Sequence, residues 1–206
     1  MASLYKIPVC IVLLALIAGG CATRSPYEEV SDPLEPVNRV IYNFNDMFDR
    51  LLLKPLAEGY ERAVPDMART GVRNFYNNLF EPITIVNGIL QAKGGQAAAD
   101  TMRFGFNTVF GIFGLIDVST GWGLEHHKED FGQTFAVWGF GEGWYIVLPV
   151  LGPSNVRDTV GLIPELKMDP IRYLFDDNTV RYAAYGLLFV SERADLLTAT
   201  EVLDAA

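Results

Sequence analysis

The sequence predicts an all-α protein, and three observations predict it. Apolar residues recur at helical spacing along most of the chain. Prolines and glycines cut these stripes into short segments. Only one stretch, between Phe131 and Gly152, carries the glycine and aromatic pattern of a β-hairpin. With 206 residues, half of them hydrophobic and 12% aromatic, the chain has material for a real core and is no disordered protein. That length allows one domain or at most two. A net charge of −9 leaves no basic footprint, so nucleic acid is not an expected partner. Two cysteines are too few for a disulfide scaffold.

In chain order, Met1 to Gly20 reads as a targeting segment. Lys6 supplies the positive end, and Ile7 to Ala18 is almost wholly apolar, with the length of a signal h-region and too short for a membrane span. Gly19 and Gly20 precede Cys21, and a small-small-Cys ending resembles the bacterial lipobox. Cleavage there removes Cys10 and leaves Cys21 as the lipid anchor. The other reading is an ordinary secretory signal with a chance cysteine. Ala22 after the anchor, rather than Asp, resembles the signal that sorts lipoproteins to the outer membrane. Removing residues 1–20 takes Lys6 and no acid, so 15 basic and 25 acidic groups remain, net −10. Residues 21–31 form a polar linker, and residues 32–206 form one helical domain.

The first domain helix places Val37, Val40, Ile41, Phe44, Met47, Phe48, Leu51 and Leu52 on one face, with Pro36 in its first turn and Pro55 at its end. A second helix starts at Pro65 and Asp66, carries Val72, Phe75, Tyr76 and Leu79, and ends at Pro82. A short apolar helix, Ile83 to Leu90, stops at Gly94 and Gly95, and another runs from about Gln96 to Val109. Gly111 to Val118 is a brief apolar piece. Phe135–Trp138 and Trp144–Leu148 flank Gly139, Gly141 and Gly143, which reads as a hairpin with a flexible tip. Pro164 and Pro170 break Asn155–Asp177 into pieces. A last helical region covers roughly Thr179 to Leu203, with Tyr182, Tyr185, Leu188, Phe189, Leu196 and Leu197 as expected buried positions.

Candidate chemistry is sparse. Ser119, in Asp117-Val-Ser-Thr-Gly121, is half of a nucleophile elbow, without its first glycine or a strong preceding strand. His126 and His127 are the nominal bases, or with Glu129 and Asp130 nominal metal ligands. Adjacent histidines point different ways and no His-Glu-x-x-His spacing exists, so a solvated polar loop is the simpler reading. No catalytic residue, metal ligand or cofactor is assigned. The Gly139-x-Gly141-x-Gly143 run lacks the lysine of a phosphate-binding loop, and its aromatic neighbours suit a lipid or protein surface. Asn43, Asn45, Asn74, Asn77 and Asn78 sit among aromatics on amphipathic helices. They serve either as caps and surface hydrogen-bonding groups or as a polar lining that passes a lipid headgroup, and pattern alone leaves both open. An amphipathic helix packs on its own protein or lies in a membrane interface.

Several strings, in colinear order from about residue 32 to 197, resemble the MlaA (VacJ) lipoproteins of Gram-negative bacteria. They include Asp32-Pro33-Leu-Glu-Pro-Val-Asn38-Arg39 with Tyr42-Asn43-Phe44-Asn45-Asp46, then Lys54-Pro55, Gly59-Tyr60, Val72-Arg73-Asn74-Phe75-Tyr76-Asn77-Asn78-Leu79 and Glu81-Pro82. Arg103-Phe104, Asn107-Thr108 and Gly111 follow. The most specific run holds Glu129-Asp130-Phe131-Gly132-Gln133-Thr134, Trp138-Gly139, Leu148-Pro149 and Leu151-Gly152-Pro153-Ser154 with Arg157-Asp158.

The resemblance implies a ring-like, all-helical lipoprotein in the inner leaflet of the outer membrane, beside porin trimers. It implies removal of phospholipid misplaced in the outer leaflet through a channel, delivery to a periplasmic lipid-carrier protein, and no enzymatic step or cofactor. It makes Gly139, Gly141 and Gly143 candidate hinges of a loop near the channel. A structural lipoprotein that tethers or stabilises porins without moving lipid is the alternative, and a lipid hydrolase using Ser119 a third. Family members usually continue beyond Ser191-Glu-Arg193-Ala-Asp-Leu-Leu197 with a polar tail, which is short here, and Trp144 stands where a proline is common.

Overall fold

The computed structural model describes residues 33–199. The targeting segment, Cys21, the linker and the end of the last predicted helix lie outside the described residues. Helix α1 spans Glu35–Phe48, a π-helical turn follows at Asp49–Leu53, and α2 spans Lys54–Ala63. Pro55 therefore does not close a segment. It sits in the first turn of α2, which continues the helical backbone of the π-helical turn without a break.

Helix α3, Asp66–Leu90, runs unbroken through Pro82, where two helices were expected. An interior proline costs about 3 kcal/mol of helix stability. Packing along the whole length of α3 overrides that local preference. Gly94 and Gly95 open helix α4, Gly94–Val109, rather than stopping a helix. The Gln91–Lys93 connection, with Ala92 at φ 60°, turns α4 back along α3. The brief apolar piece after α4 is a tight loop in which Ile112 and Phe113 both take positive φ. Gly114, at φ +90°, is obligatory there, because a Cβ would lie 2.4 Å from the Asn78 Cβ.

Helix α5, Phe131–Val137, is capped by Asp130, whose carboxylate accepts from Gln133 N while the Gln133 side chain donates back. That N-cap favours a helix where the first hairpin arm was predicted. The hairpin is displaced along the chain. Strand β1 is Tyr145–Leu148, β2 is Gly152–Asn155, and the turn lies at residues 149–151 rather than at the glycine run. Helix α6, Val156–Met168, passes through Pro164, and Pro170 opens the short α7, Pro170–Leu174. Helix α8 spans Asn178–Asp195. Gly161 of α6 lies where a Cβ would come 2.6 Å from Gly132 N, so backbone meets backbone at the α5–α6 crossing.

The packing inverts the usual rule. Among the described residues, buried polar side chains outnumber buried hydrophobic ones, while large apolar side chains face outward. The apolar stripe of α1 and the π-helical turn after it points away from the protein, with Val40 68% and Leu51 74% exposed. The inward face of α1 carries Asn38 and Asn45, seven residues apart. Asn38 donates to Tyr145 O and accepts from Val147 N, and Asn45 donates to Leu148 O and accepts from Val150 N. Two asparagine amides thus pair with the free edge of β1 as a neighbouring strand would. A conventional apolar contact exists where α2 meets the end of the chain: Ala57, Ala194 and Leu197 are buried with Tyr60 against them. Of the other expected core positions, Tyr182 and Leu196 are exposed, because α8 also turns apolar residues outward. No helix among the described residues is long and apolar enough to cross a membrane.

Candidate functional site

The inner face of α3 carries Asn74, Asn78, Glu81, Thr84 and Asn87, with Gln91 just beyond its end, at spacings of three and four residues. From Asn78 onward these are buried. The facing stripe of α4 is Asp100, Arg103 and Asn107, all buried. Two amphipathic helices have met along their polar sides. Such a seam is stable only if its groups bond one another.

Most of them do. The Arg103 guanidinium donates to Asp117 Oδ2 at 3.0 Å, to Thr120 Oγ1 at 3.0 Å and to the Leu124 carbonyl. Asn107 donates to Asp117 Oδ1 and accepts from the N–H groups of Val118 and Ser119. Burial raises the Asp117 carboxyl, but the bonds from Thr120 and Arg103 and the Arg103 charge outweigh it and hold the pKa at about 2. Further along, Thr134 Oγ1 donates to Asn87 Oδ1 and accepts from Gln91, joining α5 to α3. His126 lies 3.4 Å from Glu81 of α3, and His127 lies 2.7 Å from Asp100 of α4. The adjacent histidines therefore diverge, one to each helix.

Cavities flank this seam. A polar chamber of about 40 Å³ is lined by Asn74, Asn77, Asn78, Glu81, Arg103, Asn107, Asp117 and His126. Asn78 Oδ1, Glu81 Oε1 and Arg103 Nε are buried there without hydrogen-bond partners. On one side it shares Asn74 and Asp117 with an open cavity of about 480 Å³, walled by Met67, Leu115 and Ile116. Across Asn78 lies an apolar cavity of about 580 Å³ formed by Phe75, Leu79, Phe104, Ile112, Phe113 and Leu174. On the other side, Asn77 and His126 also line a cavity of about 240 Å³ between α3, α6 and α8. A small polar chamber thus sits among larger spaces, two of them walled mainly by apolar side chains and one by a mixture of aromatic and charged ones.

The family model described as MlaA lipoprotein matches residues 30–206. The chain belongs to this family. It is 38% identical to an uncharacterised protein of Rickettsia typhi, over 70% of this chain and 58% of that one. The chain thus spans somewhat more than half the length of such relatives. It is 31% identical to the intermembrane phospholipid transport system lipoprotein MlaA of Haemophilus influenzae, over 95% of this chain and 80% of that one. A solved structure described as the "structural basis for maintenance of bacterial outer membrane lipid asymmetry" matches at a TM-score of 0.73 and 32% identity, covering 85% of this chain and 89% of the other. An MlaA fold is all-helical apart from its small sheet, as the sequence predicts.

Within this MlaA fold the candidate polar residues separate. Asn74 and Asn77 line the chamber, Asn77 at its exposed rim. Asn45 braces β1, and Asn43 is exposed on α1. Gly139, Gly141 and Gly143 lie in the exposed link from α5 to β1, with Gly139 at φ +91° and Gly143 at φ +72°. Ser119 is fully buried, with its Oγ 3.4 Å from the Arg103 carbonyl, so its hydroxyl serves the seam. The sequence reading quoted Glu81, Arg103 and Asn107 only for the family resemblance, gave them no place in a site, and passed over Asp100. The available signal was their three- and four-residue spacing, hidden on α3 by the break expected at Pro82.

Proposed function

We propose that this lipoprotein removes phospholipid from the outer leaflet of the outer membrane and hands it to a periplasmic lipid-carrier protein. Residues 1–20 are the signal, Cys21 carries the acyl anchor, residues 21–31 are the linker and residues 32–206 the working domain. The domain lies in the periplasmic leaflet with its outward apolar side chains in the lipid tails and a porin trimer beside it. The observation that carries this reading is the inversion of the packing, a polar chamber inside and an apolar belt outside.

A phospholipid head is costly to move through hydrocarbon. The Asn74–Asp117 seam offers it hydrogen bonds while the tails stay in the apolar spaces around Phe75, Phe104 and Leu115. No bond is made or broken and no cofactor takes part. The relatives named as a phospholipid transport lipoprotein support the same substrate class.

The test is a deletion strain complemented with this chain. Surface labelling of phospholipid is expected to rise on deletion and to return to the parental level with the intact chain. An unchanged outer leaflet on deletion contradicts the proposal. Porin co-purification with no change in surface phospholipid supports the purely structural role instead.

A further inference from the structure

The polar chamber of about 40 Å³ carries hydrogen-bonding groups that the protein itself does not use. Asn78, Glu81 and Arg103 line it, each less than a tenth exposed. Each is anchored through its other polar atoms. Asn78 Nδ2 donates to Thr108 Oγ1 at 3.0 Å, and Glu81 Oε2 lies 3.4 Å from His126 Nδ1. The two terminal nitrogens of Arg103 serve Asp117, Thr120 and the Leu124 carbonyl. The atoms left over are Asn78 Oδ1, Glu81 Oε1 and Arg103 Nε, all buried and all without a hydrogen-bond partner. Asn107 and Asp117, on the same wall, are spent on one another and on residues 118–120.

The unused set is two acceptors and one donor. Leaving such groups buried and unpaired is costly, and a ligand that satisfies all three removes the cost. The chamber has room for about three water-sized groups, so the ligand is small or is the tip of a larger molecule. A phosphate oxygen suits Arg103 but meets the Glu81 carboxylate. An ammonium suits Glu81 and Asn78 but gives Arg103 Nε no acceptor. Among the described residues no three His, Cys, Asp or Glu side chains converge closely enough to hold a metal ion. Hydroxyl groups both donate and accept. A vicinal pair donates once to Glu81 Oε1 and once to Asn78 Oδ1, and one of its oxygens accepts from Arg103 Nε.

We infer that the chamber binds the terminal diol of a phospholipid's glycerol headgroup, with Glu81, Asn78 and Arg103 as its three contacts. This rests on the lipid-passage reading and adds a headgroup preference to it. The chamber shares Asn74 and Asp117 with the open cavity of about 480 Å³. That cavity leaves the phosphate and the tails a place outside the chamber, beside Leu115 and Ile116.

The experiment equilibrates the purified full chain with vesicles of equal parts phosphatidylglycerol and phosphatidylpropanol, then measures both lipids bound. The two headgroups share the phosphate charge and the three-carbon chain, and differ in the two hydroxyls. Enrichment of phosphatidylglycerol by about tenfold is expected, the scale of one charge-assisted hydrogen bond. The Glu81→Met variant keeps an unbranched side chain without the acceptor and is expected to bring the ratio close to one. The comparison on the original chain decides even where that variant fails to fold. Equal binding of the two lipids by the original chain, or an unchanged ratio in the folded variant, overturns the site but leaves lipid passage standing. No lipid bound by the original chain overturns both. Loss of the enrichment on adding free glycerol at the lipid concentration assigns the chamber to a free diol and overturns the headgroup assignment.

Discussion

Two helix seams in this molecule are built by opposite rules. Where α2 meets the chain's end, Ala57, Ala194 and Leu197 close an apolar contact with Tyr60 against it. Where α3 meets α4, the buried residues are Asn78, Glu81, Asp100, Arg103 and Asn107, tied by directional bonds to Thr108, His126, His127 and Asp117. Apolar contact is non-directional and tolerant of sliding. A polar seam is satisfied in one register only. The comparison teaches that the first seam serves stability alone, whereas under the proposed function the second also serves the lipid that passes beside it.

The largest effect is expected from breaking the polar seam on one side. Arg103→Leu leaves Asp117 without its cationic partner and the Leu124 carbonyl without its donor, and is expected to cost about 3–5 kcal/mol, read by thermal or denaturant unfolding. Replacing both partners, Arg103→Leu with Asp117→Leu, is expected to recover most of that stability while abolishing correction of surface phospholipid. Full lipid correction by that double variant would break the distinction between the seams. On the apolar side, Ala57→Leu overfills a site with no exposed surface and is expected to cost about 1–3 kcal/mol. Its correction of surface phospholipid should stay as it was in whatever fraction remains folded.

Acid titration sharpens the contrast. Asp117 is held at about 2, below the ordinary 3.8, so its contribution is present above pH 4 and is lost as pH falls towards 2. The loss amounts to about 1–2 kcal/mol after solvent screening. Glu165 has the opposite sign. Its carboxyl is raised by burial, so its contribution is present in acid and declines as pH rises through its folded value. Unfolding of Asp117→Asn, followed across pH 2–5, should lack the acid-side loss.

A smaller effect belongs to the hairpin. Asn45→Ala removes the acceptor for Val150 N and is expected to cost about 1 kcal/mol. It should speed hydrogen exchange at Val150 while leaving Val147, held by Asn38, protected. Equal exchange at both positions would show that α1 does not brace β1 residue by residue. The smallest effect on stability is expected outside. Phe113, 71% exposed, changed to Asp should barely alter unfolding yet weaken membrane association in fractionation.

The sequence showed helices well and directions poorly. The stripe from Val37 to Leu52 was legible as helical, but periodicity gives a face without saying whether protein or lipid covers it. Pro82 and Pro164 looked like breaks because local preference is weak against tertiary packing. The glycine run read as a hairpin tip because Asp130 and Gln133 were not weighed as a cap for α5. Asn74 and Asn77 were singled out as candidate lining. Glu81, Arg103 and Asn107 were given no place in a site, since their meaning lies in α3 and α4 facing each other, a long-range fact no single stripe records.

The central claim is that the polar seam carries headgroups and the apolar spaces carry tails. Photo-crosslinking tests it directly, with one phospholipid reactive at its head and another reactive at its tail end. The account predicts that the head probe labels Asn74 or Asn77 and that the tail probe labels Phe75, Phe113 or Leu115. Head-probe labelling confined to the outward residues of α1, such as Val40 and Leu51, would contradict it.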